Sequence, residues 1–155
     1  MTPPNLPRPD SGDDRFTCHE AAADAPTAAL IRDGFSQWLR RHTALDETRL
    51  CDVALAVNEA LANTAEFAYP SDRVGTVDFE AVNDRIRRNL TITIADQGHW
   101  RDLDPLCRRP SRGRGIPLMR TLADSVIIDT SGRGTSICMR FDYVRNDLPV
   151  ELGVC

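Results

Sequence analysis

The stretch ALAVNEALANTAEFAY, Ala54–Tyr69, reads as a buried helix, yet it carries Asn58, Glu59, Asn63 and Glu66. Alanine and leucine are strong helix formers. At 100° per residue, Leu50, Ala54, Val57, Leu61 and Ala68 cluster within about 40° of one line. Glu59 and Asn63 fall about 180° and 220° from that line, so they share a face of their own. Ala56 and Ala60 beside them are small, which leaves room for a close approach to the helix. A carboxylate can act as a base, and an amide carbonyl suits a hard cation such as Mg²⁺. A solvated polar face would look the same, so the rest of the chain has to decide.

Working outward, the helix starts near Asp46, where LDET offers an N-cap, and runs to about Ala68, with Pro70 ending it. The helix before it spans Ala23–His42. Asp24 caps it, Pro26 sits near its first turn, and Leu30, Ile31, Phe35, Trp38 and Leu39 form an apolar stripe. His42 at its end is expected on the surface. Arg15–Ala22 reads as a first strand. GTVDFEAVN (Gly75–Asn83) and LTITIAD (Leu90–Asp96) alternate like paired strands. A polar loop, Gln97–Gly115, leads into a short helix from Ile116 to about Ala123. SVIIDTS and TSICMRFDYV then flank Gly132, Arg133 and Gly134. The order β-α-α-β-β-loop-α-β-β predicts an α+β fold, a two-layer sandwich with helices on one face of a mixed, largely antiparallel sheet.

The chain has 155 residues, the length of a single domain with a real core. Its 41% hydrophobic and 27% charged residues are ordinary for a globular protein. A net charge of -4 argues against nonspecific nucleic-acid binding. All 19 basic residues are arginine. The five cysteines, Cys18, Cys51, Cys107, Cys138 and Cys155, are odd in number and form no CxxC pair. A disulfide framework or structural zinc site is not indicated, and thiols in a reducing cytoplasm are expected. No segment has the length and apolarity of a membrane span, and the N-terminus has no apolar signal region. Residues 1–14, with four prolines and three aspartates, read as a disordered arm, and residues 144–155 as a tail.

Three further constellations join the helix. In TIADQGHW, Asp96 ends a strand and Gly98 follows. An aspartate there can accept a hydrogen bond from an exocyclic amino group, and glycine admits a flat ring or phosphate close to the backbone. In SRGRGIPLMRTLAD, Gly113, Arg114 and Gly115 enter a helix N-terminus, whose free N–H groups favour an anion. It is neither a Walker P-loop nor a Rossmann fingerprint. In SGRGTSICMRF, a glycine turn delivers Thr135 to a strand. Each alone also fits an ordinary turn.

Together and in this order, the four motifs resemble the histidine-kinase-like (GHKL) ATPase superfamily, over residues 15–143. Within it, the chain looks most like the small anti-sigma factor serine/threonine kinases. NEALANTAEFAY is similar to the N-box, IADQG to the first glycine box, GRGIPLMRTLAD to the second and GRGTSICMRF to the last. The resemblance implies the Bergerat ATP-binding fold. It implies Asn63 as the Mg²⁺ ligand, Glu59 as the general base and Asp96 with Gly98 at the adenine. It further implies Gly113, Arg114 and Gly115 in a lid on the phosphates, with Thr135 helping to hold the base.

The implied activity is phosphoryl transfer from ATP to a serine or threonine of an anti-anti-sigma factor. The implied second partner is a sigma factor, and such kinases are typically homodimers. No direct nucleic-acid or membrane contact is implied. The alternative is a catalytically silent ATP-binding module that sequesters its partner. Phe67, where the family pattern has histidine, keeps that alternative open. Trp100 stands where many members have a second glycine. Pro117 falls in the first turn of the third helix, where proline is tolerated.

Overall fold

The computed structural model describes residues 10–11, 14–67, 75–97, 115–131 and 134–144; for Asp10, Ser11, Glu66 and Phe67 it describes the backbone alone. The elements in chain order are β1 (Asp10–Ser11), β2 (Arg15–Ala22), α1 (Ala25–His42), α2 (Glu47–Phe67), β3 (Thr76–Asp84), β4 (Asn89–Asp96), α3 (Gly115–Leu122), β5 (Ser125–Ser131) and β6 (Gly134–Asp142). The strands form one sheet in the order β1-β2-β3-β4-β6-β5. Every pairing is antiparallel, so the sheet is not the mixed one expected. Asp10 and Ser11 pair with Thr17 and Phe16, a departure from the disordered arm read for residues 1–14.

Period-two patterning builds the sheet. β3 and β4 alternate residue by residue between buried and part-buried positions. One inward row runs Phe16, Ala81, Ile92, Met139, Val126 across five strands, and the next runs Cys18, Phe79, Ile94, Ile137, Ile128. The helices cover this face. Phe16, Phe35, Trp38 and Phe79 pack as an aromatic cluster with centroids 5.0–6.0 Å apart. Such pairs each contribute about 0.5–1.5 kcal/mol beyond area burial. Cys18 lies in the core, and burial, then the Asp78 charge, push its thiol pKa up. Cys18, Cys51 and Cys138 are unbridged.

The helix ends follow their caps. Asp24 Oδ1 accepts from Thr27 N at 2.8 Å, as the sequence predicts. Asp46 Oδ1 accepts from Arg49 N at 2.8 Å and caps α2. His42 is half-buried against the Trp38 ring rather than exposed, and its carbonyl accepts from Asn83 Nδ2 at 2.9 Å. The α2 stripe is broader than the periodicity suggested. Val53, Ala56, Val57, Ala60, Leu61 and Thr64 are all buried, because α1, α3 and the sheet all pack on this helix. Ala56 and Ala60 therefore lie in the protein's own core and line no open space.

Arg49 ties these layers together. Its side chain is 3% exposed and pairs with Asp124 and with Asp52, the latter at 3.1 Å. Nε donates to the Asp142 carbonyl and Nη1 to the Leu122 carbonyl, each at 3.1 Å. The guanidinium also lies 5.5 Å from the Phe141 ring centroid. One side chain thus joins α2 to the end of α3, the start of β5 and the end of β6. Removing one partner of such a buried network costs about 3–5 kcal/mol. Arg49→Ala should lose that much in urea denaturation. Arg49→Lys should recover only a part, since an ammonium cannot reproduce the planar fork.

Candidate functional site

Two polar clusters interrupt the apolar inner face. The first continues the sheet's own alternation. In β4 the inward residues are Leu90, Ile92, Ile94 and then Asp96. In β6 they are Phe141, Met139, Ile137 and then Thr135. Asp96 and Thr135 are cross-strand partners, 8% and 3% exposed. The Thr135 N–H points at Asp96 Oδ1 over 3.4 Å, long for a hydrogen bond. A carboxylate and a hydroxyl therefore sit side by side where the core pattern calls for apolar residues.

Gly134 makes that approach possible. Its φ is +145°, and a Cβ there would lie 1.9 Å from the Asp96 carbonyl oxygen. Only glycine fits at that distance. Gly134 was not among the expected site residues; the G-x-G-T spacing was the available signal.

The second cluster lies where α2 meets α3. A Cβ on Gly115 would stand 3.0 Å from Asn63 Nδ2 and 3.3 Å from Glu59 Oε2. The first residue of α3 is thus seated directly on the two side chains that the sequence placed on one face of α2. Both side chains are part-buried. Asn58, one residue before Glu59, takes no part. It accepts a hydrogen bond from Arg32 of α1, in a shallow groove of about 490 Å³ on another side of α2.

Each cluster lies far from Arg49 along its own element. Arg49, at the start of α2, binds the carbonyl of Asp142, which pairs with Asn89 at the far end of β4 from Asp96. Asn63 lies about 21 Å along the helix from Arg49. Asp96 lies about 23 Å along the strand from Asn89. α3 also runs the right way: its C-terminal end is held at Arg49, which leaves Gly115 at the other end.

The donor chemistry fits a nucleotide and its metal. The Asp96 carboxylate, 8% exposed, is able to accept a hydrogen bond from an amino group. Asn63 and Glu59 offer hard oxygens. Among the described residues no three His, Cys, Asp or Glu side chains converge as a metal cage. Mg²⁺ is ordinarily held by one or two protein oxygens, with phosphates and water completing the shell. Gly98, Gly113, Arg114 and Trp100 lie outside the described residues, as does the Phe67 side chain.

A family model described as the histidine kinase-like ATPase domain matches residues 21–141. The chain belongs to the histidine kinase-like ATPase family. An ATPase domain of this kind binds ATP, which fits the two clusters and confirms the superfamily resemblance. No curated protein matches the sequence. Solved structures share the fold. One is the crystal structure of the RsbU and RsbW domains of Rv1364c from Mycobacterium tuberculosis, with TM-score 0.65 and 19% identity over 83% of this chain and 32% of that one. Another is the histidine kinase domain of the Erythrobacter litoralis EL346 blue-light activated histidine kinase, with TM-score 0.51 and 18% identity over 76% of this chain and 60% of that one. The chain thus spans about a third of the first and well over half of the second. No helix among the described residues is long and apolar enough to cross a membrane.

The two glycines should respond differently to alanine. Gly134→Ala sets a Cβ against backbone and strains φ, so it should destabilise the fold by more than about 3 kcal/mol. Gly115→Ala meets side-chain ends that can shift, so the melting temperature should hold. ATP affinity should fall roughly tenfold, or about 1.4 kcal/mol by calorimetry.

Proposed function

We propose that this protein is an anti-sigma factor with serine/threonine kinase activity, which phosphorylates an anti-anti-sigma factor and thereby controls a sigma factor. The observation that carries this reading is the seating of Gly115 on Glu59 and Asn63, with the buried Asp96–Thr135 pair as the second polar cluster. The RsbW domain in a structure of the same fold supports the choice of this branch. So does the short stretch between Asp96 and Gly115, which suits a small lid.

In this reading Asp96 accepts from the adenine amino group, with Gly98 beside it, and Thr135 helps to hold the base. Gly113, Arg114 and Gly115 face the phosphates from the lid side. Asn63 would hold Mg²⁺, which offsets phosphate charge when bound. Glu59 orients the acceptor hydroxyl and takes its proton as the serine oxygen bonds to the γ-phosphorus. The bond from that phosphorus to the β–γ bridging oxygen breaks, and ADP leaves with the electron pair. Positioning and electrostatics dominate such transfers, and Glu59 and Asn63 stand about one helical turn apart on the same face.

A second reading is favoured by one residue. Phe67 stands where the family's N-box pattern continues with histidine. If that position serves the chemistry, the protein binds ATP and regulates its partner by sequestration without transfer.

Calorimetry and labelled ATP separate the readings. Asn63→Ala should abolish Mg²⁺-dependent ATP binding. Glu59→Ala should bind ATP within about twofold of the parent, yet reduce transfer to the antagonist by at least about 10²-fold. Transfer by Glu59→Ala at the parent rate would remove it as base. ATP binding by the parent without any transfer would establish sequestration, and no binding at all would sink both accounts.

A further inference from the structure

The end of the molecule away from the two polar clusters carries its own pattern. β3 and β4 are joined by a tight turn through Arg85, Ile86, Arg87 and Arg88. Asp84 Oδ1 accepts from the N–H groups of Ile86 and Arg87 at 3.0 and 2.9 Å, and Arg88 closes the turn at φ 56°. This turn is pre-organised by its own aspartate. At its tip Ile86 is 95% exposed, flanked by Arg85 and Arg87 side chains at 60% and 81%.

Neighbouring elements extend the surface. The Tyr143 N–H donates to the Arg88 carbonyl at 3.0 Å, which brings up Val144, itself 69% exposed. Asn83 Nδ2 holds the last carbonyl of α1, so the basic final turn with Arg40 and Arg41 stands at the same end. In a chain of net charge -4, this end gathers arginines around two exposed aliphatic side chains.

We propose that the β3–β4 hairpin tip, with the adjoining end of α1, is a docking surface for an acidic protein segment that also carries apolar side chains. The chain already shows what the surface takes. Asp14 sits on Arg85 with Nε to Oδ1 at 2.7 Å, and Glu47 pairs with Arg40 at 3.0 Å. Among the described residues Arg41 and Arg88 make no ion pair; the Arg88 guanidinium lies 5.8 Å from the Tyr143 ring centroid, and a carboxylate from outside can still meet either charge. A protein segment fits better than a lipid or nucleic-acid surface. Asp14, Glu47 and Asp84 each pair with one of the five arginines, so a continuous polyanion would meet three carboxylates among the cations. A discrete segment can place an acid on an arginine and an aliphatic group on Ile86. Rigid apolar anchors ringed by charge are the usual make-up of such contacts. Their position leaves the nucleotide end open.

The test uses the full chain and a labelled dodecapeptide of alternating glutamate and leucine, read by fluorescence anisotropy. Saturable binding should weaken as ionic strength rises from about 0.01 to about 0.15 M. It should fall at least about tenfold in Ile86→Ser and in Arg87→Ser/Arg88→Ser. Melting temperature and ATP binding should stay at parent values, since these side chains are exposed and remote from both polar clusters. No saturable binding, or equal binding by the variants, would overturn the proposal. So would equal binding of an all-glutamate peptide, which would remove the apolar anchor. Stronger attachment to phosphatidylglycerol vesicles, lost in the same variants, would replace a protein partner by a membrane.

Discussion

One buried guanidinium organises this domain. Arg49 leaves water with two carboxylates, two carbonyls and an aromatic face around it, and no smaller or more flexible cation could satisfy all of them. Its partners come from three separate elements, so it fixes where α2 starts, where α3 ends and where β6 runs out. Once those three points are set, helix and strand geometry carry the consequences across the molecule. The rise of α2 carries Glu59 and Asn63 away from the anchor, and the rise of β4 carries Asp96 away from the anchored end of that strand. The architecture and the candidate site are therefore linked: the anchor holds the elements that carry both polar clusters.

At that other end the fold gives up hydrophobic burial. Two inward rows of the sheet finish in Asp96 and Thr135 instead of apolar residues. A polar pair at such positions costs stability unless something satisfies it. The chain belongs to the histidine kinase-like ATPase family, and a domain of that kind binds ATP. Glycine appears at both clusters for a related cause: Gly134 lets β6 press against the Asp96 backbone, and Gly115 lets α3 press against α2.

Much of this was legible in the residues. The caps Asp24 and Asp46 and the alternation of β3 and β4 are local signals, and each stands in the structure where it was read. What failed was non-local. Ala56 and Ala60 looked like open space because helical phase says nothing about how many neighbours a helix has. The arm reading overlooked Asp10 and Ser11 because a two-residue strand has no periodicity to detect; it exists only through its partner β2. His42 looked exposed because its neighbour, Asn83, lies 41 positions away. Glu59 and Asn63 could be placed on one face of a helix, but their contact with Gly115 is tertiary and no spacing rule contains it.

Asp96 and Gly115, the two ends of one chain segment, are each held by described elements. The β4–β6 ladder fixes one, and the packing of α3 on α2 fixes the other. Loop-closure entropy then sets what its length costs, and that cost grows slowly, by about 0.6 kcal/mol for each doubling. The fold can therefore take a longer or shorter connection there with little loss of stability. The chain length between two such fixed points can therefore change under selection with little consequence for whether the domain folds.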